Sequence, residues 1–194
     1  MAVTPSTMLA LGTRAPDFSL PDVSSGKTIS LPDFDNKKAL LVMFICRHCP
    51  YVQHVKKEIA AIAKDYADKN LGIVAISSND TDVYPEDAPE SLAVMTKEEG
   101  FNFPYLFDET QEVAKSYNAV CTPDIFLFDK ERKLAYRGQL DDSRPGNNAP
   151  LTGKDLRSAI DAVLSDKMVA QNQNPSTGCS IKWKPGNEPS YFGH

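Results

Sequence analysis

Residues 39–50 read Ala39-Leu40-Leu41-Val42-Met43-Phe44-Ile45-Cys46-Arg47-His48-Cys49-Pro50. The stretch Ala39–Ile45 is a purely apolar run of strand length, bounded by Lys37-Lys38 and Cys46. Continuous rather than alternating hydrophobicity suits a central strand covered on both faces. Beyond it Val52, Val55, Ile59, Ile62 and Tyr66 recur at helical spacing, while Lys56, Lys57, Glu58, Lys64 and Asp65 fall off that stripe. The pattern predicts an amphipathic helix closed by Asn70. Leu71–Ile76 predicts a second buried strand. Strand, helix and strand together predict a right-handed βαβ unit with parallel strands.

The position of the two cysteines within this unit carries the chemistry. Cys46 ends a buried strand, and Cys49 falls in the first turn of the helix. Backbone N–H groups at a helix start lack intrahelical partners, and the helix dipole favours negative charge there. A thiolate at Cys46 could accept such bonds, which would lower its pKa and make it the attacking group. Two intervening residues bring Cys49 round one turn, within disulfide reach. Pro50 is tolerated because its missing N–H would be unpaired anyway. Arg47 and His48 would stabilise a thiolate more than a disulfide. That predicts a couple more oxidising than one with Gly-Pro between its cysteines, within a range of roughly −270 to −120 mV. Two other readings stand beside the redox dithiol. A C-x-x-C pair can be half of a zinc site, although Cys121 and Cys179 are too far apart in sequence to supply the usual second pair. The pair could also be an inert pair of buried thiols.

Working outward, Phe18–Leu31 predicts two short strands around the turn-like Ser24-Ser25-Gly26. After the acidic loop Asn79–Ala88 comes a short helix near Glu90–Glu99, ended by Gly100, and then a short strand at Pro104–Phe107. Asp108 with Gln111, and Thr152 with Asp155, have capping-box spacing. They predict one helix reaching Tyr117 and another carrying Leu156, Ile160, Val163 and Leu164. Ile125–Phe128 and Lys133–Gln139 predict an antiparallel pair, so the central sheet is mixed. Thr122-Pro123 stands at the mouth of the first of these strands, where a cis bond or an ordinary trans turn would both fit. The division expected is an N-terminal arm (1–11), a single α/β domain (12–167) and a C-terminal extension (168–194).

Composition excludes several classes. The 194 residues carry a formal net charge of −5 and no long basic tract, which argues against nucleic acid as partner. No apolar run approaches a bilayer span, and the first residues do not read as a secretory signal. The expected compartment is therefore the cytoplasm, where four cysteines point to redox or metal chemistry rather than to a disulfide framework. No cofactor and no metal are expected, and oligomeric state is left open.

Three groups of residues carry a family resemblance. They are Ala15-Pro16-Asp17-Phe18-Ser19-Leu20, then Ser30-Leu31-Pro32-Asp33-Phe34, then the apolar strand running into Cys46-Arg47-His48-Cys49-Pro50. The chain resembles the alkyl-hydroperoxide-reductase/thiol-specific-antioxidant (AhpC/TSA) branch of the thioredoxin superfamily. Within that branch it is similar to peroxiredoxin-like thioredoxin-family proteins through Cys46–Val52, Asp141–Gly146 and the tail Gly178–Pro189. The resemblance implies a thioredoxin-like fold with an N-terminal β-hairpin and a C-terminal extension. It implies Cys46 as nucleophile, Cys49 as resolving thiol and Pro123 as the cis-proline. It also implies Thr122 as the residue whose backbone binds extended substrate, with His48 beside the second cysteine. Two departures matter. A peroxiredoxin has proline seven and Thr or Ser three residues before its reactive cysteine; here the residues are Val42 and Cys46 counted from Cys49, or Ala39 and Met43 counted from Cys46. The buried acid that assists thioredoxin's second cysteine would fall at Leu40, leaving His48, Asp124 or water as base.

The expected function is thiol–disulfide exchange on protein or low-molecular-weight disulfides by Cys46 and Cys49, with Arg47 and His48 tuning them. Cys121 and Cys179 are candidate accessory thiols, with a Cys121–Cys179 bridge one arrangement open to them. The alternatives are a thiol peroxidase or antioxidant, and a non-enzymatic redox sensor or metal-binding module.

Overall fold

The computed structural model describes residues 3–192. The chain runs β1 (Val3–Pro5), β2 (Ser19–Pro21), β3 (Thr28–Ser30), β4 (Ala39–Phe44), α1 (Pro50–Asp65), β5 (Leu71–Ser77) and α2 (Pro89–Glu99). It continues through β6 (Tyr105–Phe107), α3 (Glu112–Ser116), β7 (Cys121–Thr122), β8 (Asp124–Phe128), β9 (Leu134–Arg137), α4 (Lys154–Leu164) and β10 (Thr177–Ser180). The central sheet has the order β6-β5-β4-β8-β9. β4 lies in the middle, parallel to β5 and antiparallel to β8. Every residue of β4 is buried, as its unbroken hydrophobicity requires.

Alternation along the strands divides the core into two faces. Leu41, Met43 and Ile45 pack with Val52, Val55, Ile59 and Ile62 of α1 and with Leu156, Ile160 and Val163 of α4. Leu40, Val42 and Phe44 pack on the other face with Phe18, Tyr117, Phe126, Phe128 and Trp183. β2 and β3 form the predicted hairpin. Gly100 ends α2 with φ of 68°, a left-handed value that glycine adopts without a Cβ clash. No helix among the described residues is long and apolar enough to cross a membrane.

Several local expectations are corrected. Neither capping-box signal marks the N-cap position of its helix, although Asp108 still bonds into the first turn of α3. The N-cap positions of α3 and α4 are Gln111 and Gly153, both with left-handed φ. Acids outside the helices bond there instead. Asp108 Oδ2 accepts the Ala114 N–H at 2.9 Å. Asp141 Oδ2 accepts the Thr152 and Gly153 N–H groups, each at 2.6 Å. The loop Asp141–Gly146 is thus a structural brace, with Asp141 buried. The N-terminal arm and the C-terminal extension pair with each other. β10 lies between β1 and β7 in a three-stranded antiparallel sheet. Trp183 anchors the following segment among the apolar residues of the second face. Gln111 clasps the same segment: its amide donates to Lys182 O at 2.9 Å and its carbonyl accepts Lys184 N–H at 2.9 Å.

Candidate active site

Strand β4 delivers Cys46 to the C-terminal edge of the sheet, and Pro50 begins α1 immediately after Cys49. All four cysteines are free thiols. Cys46 and Cys49 lie in the same packed cluster and are almost wholly buried, at 1% and 0% exposure. Against them stands Thr122, whose bond to Pro123 is cis. Its hydroxyl lies 3.3 Å from Cys46 Sγ, and its carbonyl accepts the Cys49 thiol at 3.1 Å.

The expected helix-start stabilisation is found at the other sulfur. Cys49 is the N-cap residue of α1, and the Val52 N–H favours its thiolate although no close cap bond forms. Burial pushes the Cys46 thiol well up, helped by its contact with Cys49 and by the charge of Asp87. The bond from Cys46 pulls Cys49 down to about 4, with smaller help from Cys179, Thr122 and Val52. Two thiols in contact titrate as a pair, so one proton leaves readily and one is held. A carbonyl 3.1 Å from Cys49 needs a donor, and a hydroxyl 3.3 Å from Cys46 can supply one to a thiolate. The Cys49 sulfur thus faces a carbonyl acceptor, and the Cys46 sulfur faces a hydroxyl.

Sequence reasoning missed the group beside them. Asp87 is fully buried in the acidic loop and accepts four hydrogen bonds. They come from Arg47 N–H at 2.7 Å, His48 N–H at 3.1 Å, His48 Nδ1 at 2.5 Å and Asn79 Nδ2 at 2.7 Å. It therefore fixes the backbone between the two cysteines. Burial alone would raise Asp87, but the bonds from His48 and Asn79 outweigh it and hold the carboxyl below the usual range. The same bond raises His48 above the ordinary imidazole value. Tyr84 stacks on the His48 ring at 4.8 Å, and His48 Nδ1 lies 3.8 Å from Cys46 Sγ. A run of loop acids was the only sequence signal for Asp87, and it does not single out one of them.

Arg47 turns away from the sulfurs. Its guanidinium donates to Ser91 O at 2.5 Å and pairs with Glu98 at 3.4 Å. His48 is paired with Asp87. Each cation between the cysteines thus has its own anion, which removes the basis for the expected shift toward a stronger oxidant. Asp124 is not the missing base either. β8 alternates, so Asp124 shares a face with Phe126 and Phe128, opposite the side on which Cys46 and Cys49 pack.

The two further cysteines part company. Cys179 belongs to the same packed cluster as Cys46 and Cys49. Burial pushes its thiol up to about 12. Cys121 points to the other side, its thiol 3.6 Å from Pro123 O. The register pairs Cys179 with Thr122 and Cys121 with Ser180. Since cross-strand partners share a face, Cys121 and Cys179 lie on opposite faces and the Cys121–Cys179 bridge is disfavoured.

Among the described residues, Cys46, His48 and Asp87 form a cluster with metal-capable donors. Its His48 and Asp87 atoms are already bonded to each other, so the set is closed as an ion pair. A cleft of about 560 Å³, lined by Lys38, Lys130, Asp166 and Lys167 among others, lies at the far end of β4 from the dithiol.

Known proteins agree with this frame. The family model described as "AhpC/TSA family" matches residues 11–137. The chain is 51% identical to an uncharacterized conserved protein from Geobacillus kaustophilus of solved structure, with TM-score 0.94, covering 96% of this chain and 98% of that one. It is 27% identical to the thiol-disulfide oxidoreductase ResA of Bacillus thuringiensis subsp. konkukian, over 68% of this chain and 70% of the relative. The thioredoxin domain of a thiol-disulfide oxidoreductase from Bacteroides vulgatus shares the fold, with TM-score 0.58 at 22% identity, covering 77% of this chain and 96% of that one. A thioredoxin-like sheet, a dithiol where β4 meets α1, and a family match over most of the chain converge: the protein belongs to the AhpC/TSA family of the thioredoxin superfamily.

Proposed function

We propose that the protein is a thiol–disulfide oxidoreductase acting through Cys46 and Cys49 on protein or low-molecular-weight disulfides. The observation that carries the reading is Thr122, which touches both sulfurs, with its hydroxyl toward Cys46 and its carbonyl toward Cys49. The Cys46 thiolate attacks one sulfur of a substrate disulfide, and the other half leaves as a thiolate. Cys49 then attacks the Cys46 sulfur of the mixed disulfide and passes its proton to the second leaving thiol. A Cys46–Cys49 disulfide forms as the substrate gains two electrons, and the reverse course oxidises a dithiol.

Trapping tests the proposal. Cys49→Ser should hold substrate as a mixed disulfide on Cys46, and Cys46→Ser should abolish turnover of a disulfide reporter. Full reporter turnover by Cys46→Ser, or hydroperoxide consumption faster than reporter turnover in the wild type, would overturn it. Tight stoichiometric metal binding without turnover would favour a metal-binding module instead.

A further inference from the structure

The covering of the dithiol is itself built from a thiol-bearing strand. β10 runs antiparallel to β7, with Cys179 opposite Thr122. Thr122 is the residue whose carbonyl accepts the Cys49 thiol. The approach is close enough to demand glycine next door: a Cβ on Gly178 would lie 1.9 Å from Thr122 O and 2.6 Å from its carbonyl carbon. The strand is held by β1, and the segment after it by Asn79 Oδ1, which accepts Lys182 N–H at 2.8 Å. Cys179 is therefore presented to Cys49 with 3% exposure, in the same packed cluster as the dithiol.

We propose that Cys179 is a third redox-active thiol, which exchanges with the dithiol through Cys49 from a strand seated on Thr122. The inference rests on the oxidoreductase reading above. In the oxidised protein the Cys179 sulfur attacks Cys49 Sγ. The Cys49–Cys179 bond forms and the Cys46–Cys49 bond breaks. Cys46 departs as a thiol, carrying the proton that Cys179 gives up. No electrons leave the protein, so the step moves the disulfide without consuming it. Its consequence is a free Cys46 together with a covalently fastened β10.

Trypsin separates all four cysteines, because Arg47 divides the dithiol. They fall on peptides 39–47, 48–56, 116–130 and 168–182. The wild type equilibrated with glutathione disulfide, acid-quenched and mapped by mass spectrometry should yield both 39–47/48–56 and 48–56/168–182 links. Cys179→Ser should yield only the first. Cys46→Ser should convert to the 48–56/168–182 link and lose two hydrogens' mass, each of its two thiols' electrons passing to glutathione. Cys46→Ser with Cys179→Ser should stop at a glutathione adduct on Cys49. A persistent adduct on Cys49 in Cys46→Ser, or a 116–130/168–182 link in the wild type, would overturn the role of Cys179 while leaving the dithiol reading intact. Absence of the 39–47/48–56 link from Cys179→Ser would instead strike at the dithiol reading.

Discussion

Asp124 is fully buried, and its Oδ1 has no hydrogen-bond partner among the described residues. Burial pushes its carboxyl up from 3.8 to about 7, against weaker help from Ser6 and from the Val120 and Ile125 N–H groups. The folded state therefore holds a proton that the unfolded chain has released, over the window from about pH 4 to pH 7. Stability falls with rising pH wherever the native state binds more protons. The contribution is complete below the unfolded pKa and lost as pH rises through the folded one. The difference of about 3 units corresponds to about 4 kcal/mol at most. Asn is close in shape to the protonated acid and does not titrate. Asp124→Asn should thus match the wild type near pH 4 and exceed it by about 2–4 kcal/mol at pH 8. Urea unfolding of both proteins, reduced, from pH 4 to 8 measures the gap. A gap independent of pH, or a variant less stable than wild type at pH 8, would refute the argument.

Three further perturbations follow from the site and its supports. Asp87→Asn keeps an acceptor for the Arg47 and His48 N–H groups but removes the charge, so alkylation of Cys46 should move to lower pH. The His48–Asp87 pair stabilises only while His48 is charged and Asp87 ionised. The stability difference between wild type and Asp87→Asn should therefore peak between about pH 4 and pH 6.5 and shrink on either side, as denaturation across that range would show. Asp141→Ala leaves the Ser143, Thr152 and Gly153 N–H groups without their acceptor and should cost about 2–4 kcal/mol, read as a fall in Tm of about 5–15 °C. Trp183→Ala loosens the segment that follows β10 and should speed iodoacetamide labelling of Cys46 and Cys49 several-fold; unchanged labelling would mean that this segment does not control access.

The legible features were those written in adjacent residues. The unbroken run Ala39–Ile45 and the three-four spacing of Val52, Val55, Ile59 and Ile62 described β4 to within a residue and placed α1, which nevertheless ends at Asp65 rather than at Asn70. Asp108 does serve the start of α3, through the Ala114 N–H, whereas Thr152 misled because a cap signal is only a local offer, and here Asp141 reaches the Thr152 N–H instead. The charges of Arg47 and His48 misled in the same way. A sequence shows a cation but not the anion that Glu98 or Asp87 brings to it.

The sequence by itself determined the strand–helix–strand unit and the placing of a dithiol where β4 meets α1, because hydrophobic period and chain adjacency are enough for both. Only the tertiary structure decided what surrounds that dithiol. Asp87 reaches His48 across a separation of 39 residues, and Thr122 reaches Cys49 across 73. Such contacts depend on how strands stack and alternate after the sheet has closed, and no local pattern encodes them. The same holds for β10, whose short, glycine-bearing segment has too little hydrophobic period to announce a strand. It becomes one because Gly178 lets its backbone lie directly on Thr122.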